Sequence, residues 1–299
     1  MYFAGVSTRK VQGVLDALCG CEISAGQVSR IASELDEKLS AFRSRRLEGN
    51  DYPYLLIDAR YEKVRLNGHV VGQAVLIVSG VNALGFREIL DWRVCDSESE
   101  ESWGELFRSL KDRGLRGLKL VVSDAHQGIK KALARHFQGV WWQRCRVHFK
   151  RELMKKVNWK QIKQLMSDIN AVFAPEEKAE CLRRAEEMAT RWEGIRPRVS
   201  AMLREDFESC LTVCVLPSEH RRKLNSTNMI ERVMRELKRR TRVVGIFPNV
   251  ASLERLTGAQ LLELDEQWRL EEKRYLSMEL LDQPAYRGLW GGESAKAAA

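Results

Sequence analysis

The sequence predicts an α/β protein built on a mixed five-stranded sheet, with an all-helical insertion before its last core helix. Three observations predict it. Strand-like apolar runs fill the stretch from Asp51 to Val94. Helical and strand-like runs then alternate to about Lys150, and from Arg151 to Leu216 the periodicity is helical and charged throughout. With 299 residues, 44% hydrophobic and 30% charged, the chain can bury a sizeable core, which argues against wholesale disorder.

Along the chain, Ser7 can cap a helix to about Leu18, which Cys19-Gly20 breaks. Ser24 with Gln27 signals a second helix, with Val28, Ile31, Leu35 and Leu39 on one face. Such a pair could form a helix-turn-helix using Gln27, Ser29 and Arg30; without a third helix, a plain hairpin packed on the next domain is the simpler expectation. Tyr54 to Ala59 reads as a strand buried on both faces. Val64-Arg-Leu66, the turn Asn67-Gly68, a strand from Val70 to Ser79 and another from Phe86 to Val94 complete an antiparallel meander, because Asn-Gly between apolar runs favours a hairpin. Ser97 with Glu100 caps a helix carrying Trp103, Leu106, Phe107 and Leu110, and Gly114 and Gly117 end it. A strand from Leu118 to Ser123, a helix from Gln127 to Phe137, a strand from Val140 to Gln143 and a helix from about Val147 follow.

That order is the order of the ribonuclease H-like fold, whose first and fourth strands are neighbours at the sheet centre. Asp58 and Asp124, read as closing those two strands, would then face each other. Like charges that close repel and raise one another's pKa, a cost that bound divalent cations reverse. After Pro217 a polar turn leads to Asn228 and Glu231, readable as N-cap and capping-box acid of a further helix. Ile230, Val233, Met234 and Leu237 form its buried stripe, and Glu231, Arg235 and Lys238 lie on another.

Charge and cysteine usage bound the function. A net charge of +9 favours a polyanionic partner. Seven cysteines at irregular spacings make no disulfide framework and suit a reducing compartment. No apolar run approaches the roughly 18 residues of a membrane span, and Met1-Tyr-Phe-Ala-Gly lacks a signal-peptide pattern. The expected location is the cytoplasm, with no membrane partner. Three acids beside the cations Arg235, Lys238, Arg239, Arg240 and Arg242 point to phosphodiester cleavage on double-stranded DNA.

Five stretches together resemble one family. They are Ile57-Asp58-Ala-Arg-Tyr-Glu-Lys-Val-Arg65; Glu101-Ser-Trp103 with Arg113-Gly-Leu115; Val122-Ser-Asp124-Ala-His-Gln-Gly128 continuing to Gln143-Arg-Cys145-Arg-Val-His148; Thr227-Asn-Met-Ile-Glu231-Arg232 with Lys238 to Pro248; and Leu264-Asp-Glu-Gln-Trp268 with Tyr275-Leu276. The chain resembles the Mutator-type transposases of bacterial insertion sequences, which carry an Asp-Asp-Glu site on a ribonuclease H-like core. The resemblance implies Asp58, Asp124 and Glu231 as the catalytic and metal-binding triad, and a homodimer or larger assembly on DNA. It also implies cleavage at element ends, followed by transfer of the freed 3′-hydroxyl into target DNA. The chain departs from the pattern at Met234 and Glu152, where the family has Asn. Members also carry an N-terminal DNA-binding region, expected to be missing before Met1. The expected cofactor is a pair of Mg²⁺ or Mn²⁺ ions about 3.5–4 Å apart. Alternatives are a nuclease of the same fold without strand transfer, or a truncated, decayed DNA-binding derivative.

Competing readings attach to single residues. Asp58 could start a turn, Asp124 could cap a helix, and Glu231 could pair with Arg235, with Glu236 as rival third acid. Cys145 and His148 have metal-ligand spacing, and Cys210 and Cys214 could complete a zinc site. The simpler expectation is a structural pair, with Cys145 packed, His148 hydrogen-bonded and zinc absent. Trp141 and Trp142 read as core. The expected organisation is a helical segment at 1–48, the core at 49–150, the insertion at 151–217, the rest of the core at 218–276 and a disordered tail at 277–299.

Overall fold

A computed structural model describes residues 25–289 of the chain, so the helix expected from Ser7 to Leu18 falls outside them. The first described helix, α1 (Ala25–Ser44), buries Leu35 and Leu39, whereas Ile31 on the expected stripe is 46% exposed. Leu39 approaches the helix α10 (Val250–Leu270) closely enough that a Cβ on Gly258 would lie 2.9 Å from its methyls.

The sheet contains β1 (Tyr54–Leu66), β2 (His69–Val81), β3 (Arg87–Cys95), β4 (Leu120–Ser123) and β5 (Trp141–Arg144), in spatial order β3-β2-β1-β4-β5. Pairs β1–β2 and β2–β3 are antiparallel; β1–β4 and β4–β5 are parallel. The mixed sheet is as expected, with two differences. A two-residue strand, β6 (Ile246–Phe247), adds a parallel pairing at Lys63 and Val64. The expected breaks in the first strand are also missing, because Tyr54 to Leu66 pairs continuously with β2. Asn67 and Gly68 close that hairpin with φ of 49° and 82°, the left-handed pair that a two-residue turn requires.

Alternation along the strands divides the core into two layers. Tyr54, Leu56, Ile77, Leu120 and Val122 face α10 and α9 (Asn228–Val244), which contributes Ile230, Val233, Met234 and Leu237. Leu55, Ile57, Leu76 and Val121 face α2 (Glu100–Asp112) and α3 (Gln127–His136). The α2 cap is Ser99 with Ser102 rather than Ser97 with Glu100. Between the two parts of the core, α4 (Arg146–Met154), α5 (Ile162–Val172), α6 (Lys178–Glu193) and α7 (Pro197–Asp206) form the helical insertion. It has its own core, in which Phe149, Phe173 and Phe207 stack with ring centroids 4.9–6.3 Å apart. Phe149 belongs to that core, so the insertion begins within α4 rather than at Arg151.

The short helix α8 (Ser218–Leu224) then returns the chain to the sheet. There Tyr54 Oη lies 3.0 Å from His220 Nδ1, and His220 Nε2 lies 3.0 Å from the Ser277 carbonyl. Residues 277–289, expected to trail away, include a 3-10 turn at Met278–Asp282 and pack Met278, Leu281 and Leu289 against the core.

Candidate active site

The parallel register pairs Leu56 with Val122. Asp58 and Asp124 each lie two residues beyond that last paired position on their own segment of chain. Asp58 does not end its strand, as the sequence suggested; it lies just beyond the last β1–β4 pair, where the strands diverge. Alternation puts it on the Leu56 face, the face that α9 covers.

Asp58 is only 7% exposed and accepts a hydrogen bond from the Ala59 N–H at 3.0 Å. Burial pushes its pKa up to about 7; positive His148 opposes the rise, and Asp124 and Glu231 add to it. These acids therefore sense one another, although their chain positions are remote.

Asp124 does not cap the following helix. Its Oδ1 accepts the His126 N–H at 3.1 Å, and His126 Nδ1 accepts the Gly128 N–H as the cap of α3. Gly128 is required at this turn, since a Cβ there would lie 2.7 Å from the Ser99 backbone carbon. That close approach brings Glu98 alongside: its Oε1 accepts the Trp103 indole N–H at 3.2 Å and lies 3.5 Å from His126 Nδ1. Burial and then the Asp124 charge raise the Glu98 pKa. Sequence reasoning missed Glu98, hidden in the acidic run from Asp96 to Glu101.

Glu231 lies on the first turn of α9. The helix is capped at Thr227, not Asn228, and Glu231 closes no capping box. Its two oxygens instead accept a fork from Arg151 on α4, at 2.9 and 3.1 Å. The rival Glu236 is paired with Arg239 and Arg240. Helix α9 is anchored along β1, where Arg60 donates to the Met234 carbonyl at 2.7 Å and Thr241 to Glu62 at 2.9 Å.

Cys145 and His148 bridge these elements. Cys145 is buried at the start of α4, and its sulfur accepts both the N–H and the hydroxyl of Thr227 at 3.3 Å. Burial would raise its pKa, but His148 and Thr227 outweigh that and lower it. Burial likewise pulls His148 down, and the Cys145 sulfur with the Asp58 and Asp124 carboxylates reverses this, leaving it at about 9. His148 Nε2 lies 3.9 Å from Glu231. Potential ligand atoms of Cys145, His148 and Glu231 come within 4.8 Å of one another, a group that includes neither Asp58, Asp124, Cys210 nor Cys214. Cys210 is instead buried in the insertion core, and its carbonyl accepts from Gln143 and Arg146.

The expected cationic row separates into two sets. Arg239 and Arg240 pair with Glu236, and Arg240 also with Glu263 on α10. Arg235, Lys238 and Arg242 are exposed and make no ion pair among the described residues. They follow Glu231 along one stripe of α9. No helix among the described residues is long and apolar enough to cross a membrane.

Comparison with known proteins places this arrangement. The sequence pattern of the transposases of the Mutator family matches residues 1–271. The chain is 40% identical over 279 residues to the transposase for insertion sequence element ISRM5 of Rhizobium meliloti (strain 1021), covering 93% of this chain and 70% of that protein. It is 42% identical over 280 residues to the transposase for IS406 of Burkholderia multivorans, covering 93% and 71%. Against the transposase for IS256 in transposon Tn4001 of Staphylococcus aureus it is 36% identical, covering 93% and 72%. Among solved structures, a Drosophila P element transposase strand transfer complex aligns over 95% of this chain and 82% of its own, at a TM-score of 0.35 and 8% identity. A likeness that low carries no argument.

Proposed function

This chain belongs to the Mutator family of transposases, and we propose that it cuts and joins DNA through a carboxylate site formed by Asp58, Asp124 and Glu231. The observation that supports the proposal is that Asp58 and Asp124 each lie two residues past the last β1–β4 pair, Leu56–Val122, while the buried Asp58 carboxyl feels the charges of both Asp124 and Glu231. The strand order β3-β2-β1-β4-β5, with its antiparallel and parallel halves, supports reading the core as ribonuclease H-like.

The donor set fits hard cations. Three carboxylates offer oxygen ligands of the kind that Mg²⁺ and Mn²⁺ select, and Asp58 carries a charge that burial penalises until a cation offsets it. Bound there, such ions would lower the pKa of an attacking water or hydroxyl and neutralise charge developing on the phosphate.

The chain's own groups do the rest. Arg235, Lys238 and Arg242 present a row of unpaired cations along which a phosphate backbone can lie, with Glu231 at its head. His148 holds positive charge beside the acids. Arg151 orients Glu231 through both oxygens, so it must yield at least part of that fork when the carboxylate takes another partner.

Metal dependence tests the reading. Duplex DNA should be cut in Mg²⁺ or Mn²⁺, left intact in Ca²⁺ and left intact in EDTA; full cleavage in EDTA would refute a carboxylate–metal site. A duplex already carrying a free 3′-hydroxyl separates a transposase, which joins that end to a second duplex, from a nuclease, which does not.

A further inference from the structure

Among the described tryptophans, Trp159 alone is exposed, at 77%, whereas Trp92, Trp103, Trp141, Trp192 and Trp268 are buried. It sits in the stretch Lys155-Lys-Val-Asn-Trp159-Lys-Gln-Ile-Lys163, which has four lysines and no acid. Exposing an indole forgoes the hydrophobic stabilisation that its area would provide, so a fixed and exposed one calls for a partner.

The turn is fixed. Trp159–Gln161 is a 3-10 turn with a reciprocal Asn158–Gln161 capping box. Gln161 Oε1 also accepts the Arg196 Nε–H at 2.9 Å, tying the turn to the loop between α6 and α7. In that loop Ile195 is a second exposed apolar side chain, at 54%. Lys160 Nζ lies 5.7 Å from the Trp159 ring centroid. An exposed aromatic ring with a lysine over it, in a stretch rich in lysine and without an acid, is complementary to a nucleobase flanked by phosphates.

Position adds a second argument. Helix α4 starts at the Cys145 cap, carries His148 and Arg151 beside Glu231, and ends at Met154. The lysine-rich turn follows in sequence, from Lys155, after the helix that contacts Glu231.

We propose that the Trp159 turn is a stacking surface for an unpaired base of DNA, with Lys155, Lys160 and Lys163 holding the adjacent phosphates. The base must be unpaired because the faces of paired bases inside a duplex are already covered by their neighbours. Stacking is tolerant of sequence, since every base has a π-face. This inference rests on the DNA-processing reading above.

The test measures equilibrium binding in EDTA, which keeps it independent of cleavage. Two probes are compared: a fully paired duplex, and the same duplex with unpaired bases at one end. Wild type should favour the unpaired end. Trp159→Ala should weaken binding to that probe by roughly ten-fold while leaving the paired duplex within about two-fold, and Trp159→Phe should retain most of the preference. Lys155→Ala with Lys160→Ala should weaken both probes and reduce the salt dependence. Equal binding of both probes by wild type and Trp159→Ala would overturn the stacking surface while the DNA reading stands. Failure of wild type to bind either probe would overturn both.

Discussion

A carboxyl group as buried as that of Asp58 keeps its proton until a neighbour offsets the charge, which is why its pKa stands at about 7. The sequence put the three acids forward because each sits in a local pattern: Asp58 and Asp124 follow apolar runs and Glu231 opens an amphipathic helix. It did not make their partners legible. Arg151 lies 80 positions from Glu231 and Glu98 has three acidic neighbours in its stretch, so no local signal marked either. Cys145 was expected to be a small packed hydrophobe; its sulfur instead satisfies two Thr227 donors. Cys145→Ala should therefore cost roughly 1–3 kcal/mol by chemical denaturation, because it leaves a buried N–H and hydroxyl unpaired. In our reading the pair needs no metal, and elemental analysis should show no stoichiometric zinc. One zinc per chain, with unfolding on chelation, would contradict this reading of Cys145 and His148.

Helix α9 does two jobs with two stripes. Its apolar stripe was readable from i, i+3, i+4, i+7 spacing and is buried as expected. Its charged stripes were not separable, because pairing with Glu263 depends on where α10 docks. Arg235→Ala with Lys238→Ala should weaken all duplexes alike and reduce the salt slope by about 0.9 per lost contact. A loss confined to particular sequences would show base contacts instead. Helix α8 carries a different kind of device. The Ser277 carbonyl can only accept, so His220 Nε2–H donates to it, and in the neutral ring Nδ1 then accepts the Tyr54 hydroxyl. Burial lowers its pKa below the ordinary 6.5, with the Ser277 carbonyl opposing. Between that lowered value and 6.5 the unfolded chain binds the proton more readily than the folded chain, so stability falls as pH falls through that window, by up to about 1.4 kcal/mol per unit. Above it both states are neutral and the contribution is flat. His220→Gln should lose that acid-side slope in urea titrations; parallel profiles for variant and wild type would contradict it.

Over the whole molecule, the meander and the alternating helices were readable because turn chemistry and periodicity are local: Asn67-Gly68 closes the hairpin it announced. Long-range pairing was not. The β6 strand is two residues long, too short for any periodicity, and Asp58 was placed at a strand end because the polar residues from Arg60 to Lys63 hid the continuation of β1. The insertion was visible as helical, but its start inside α4 was not, since only packing shows that Phe149 joins Phe173 and Phe207. The tertiary result that matters for function is convergence: β1, β4, α4 and α9 bring Asp58, Asp124, His148 and Glu231 into mutual electrostatic reach.

That convergence is tested most directly by joining a duplex that carries a free 3′-hydroxyl to a second duplex in Mg²⁺ or Mn²⁺. Wild type is compared with Asp58→Asn, Asp124→Asn and Glu231→Gln, with folding checked by circular dichroism and DNA binding measured in parallel. Each variant should fold and bind DNA yet form no joined product. Joining at the wild-type level by any one of them would remove that residue from the site and contradict the account.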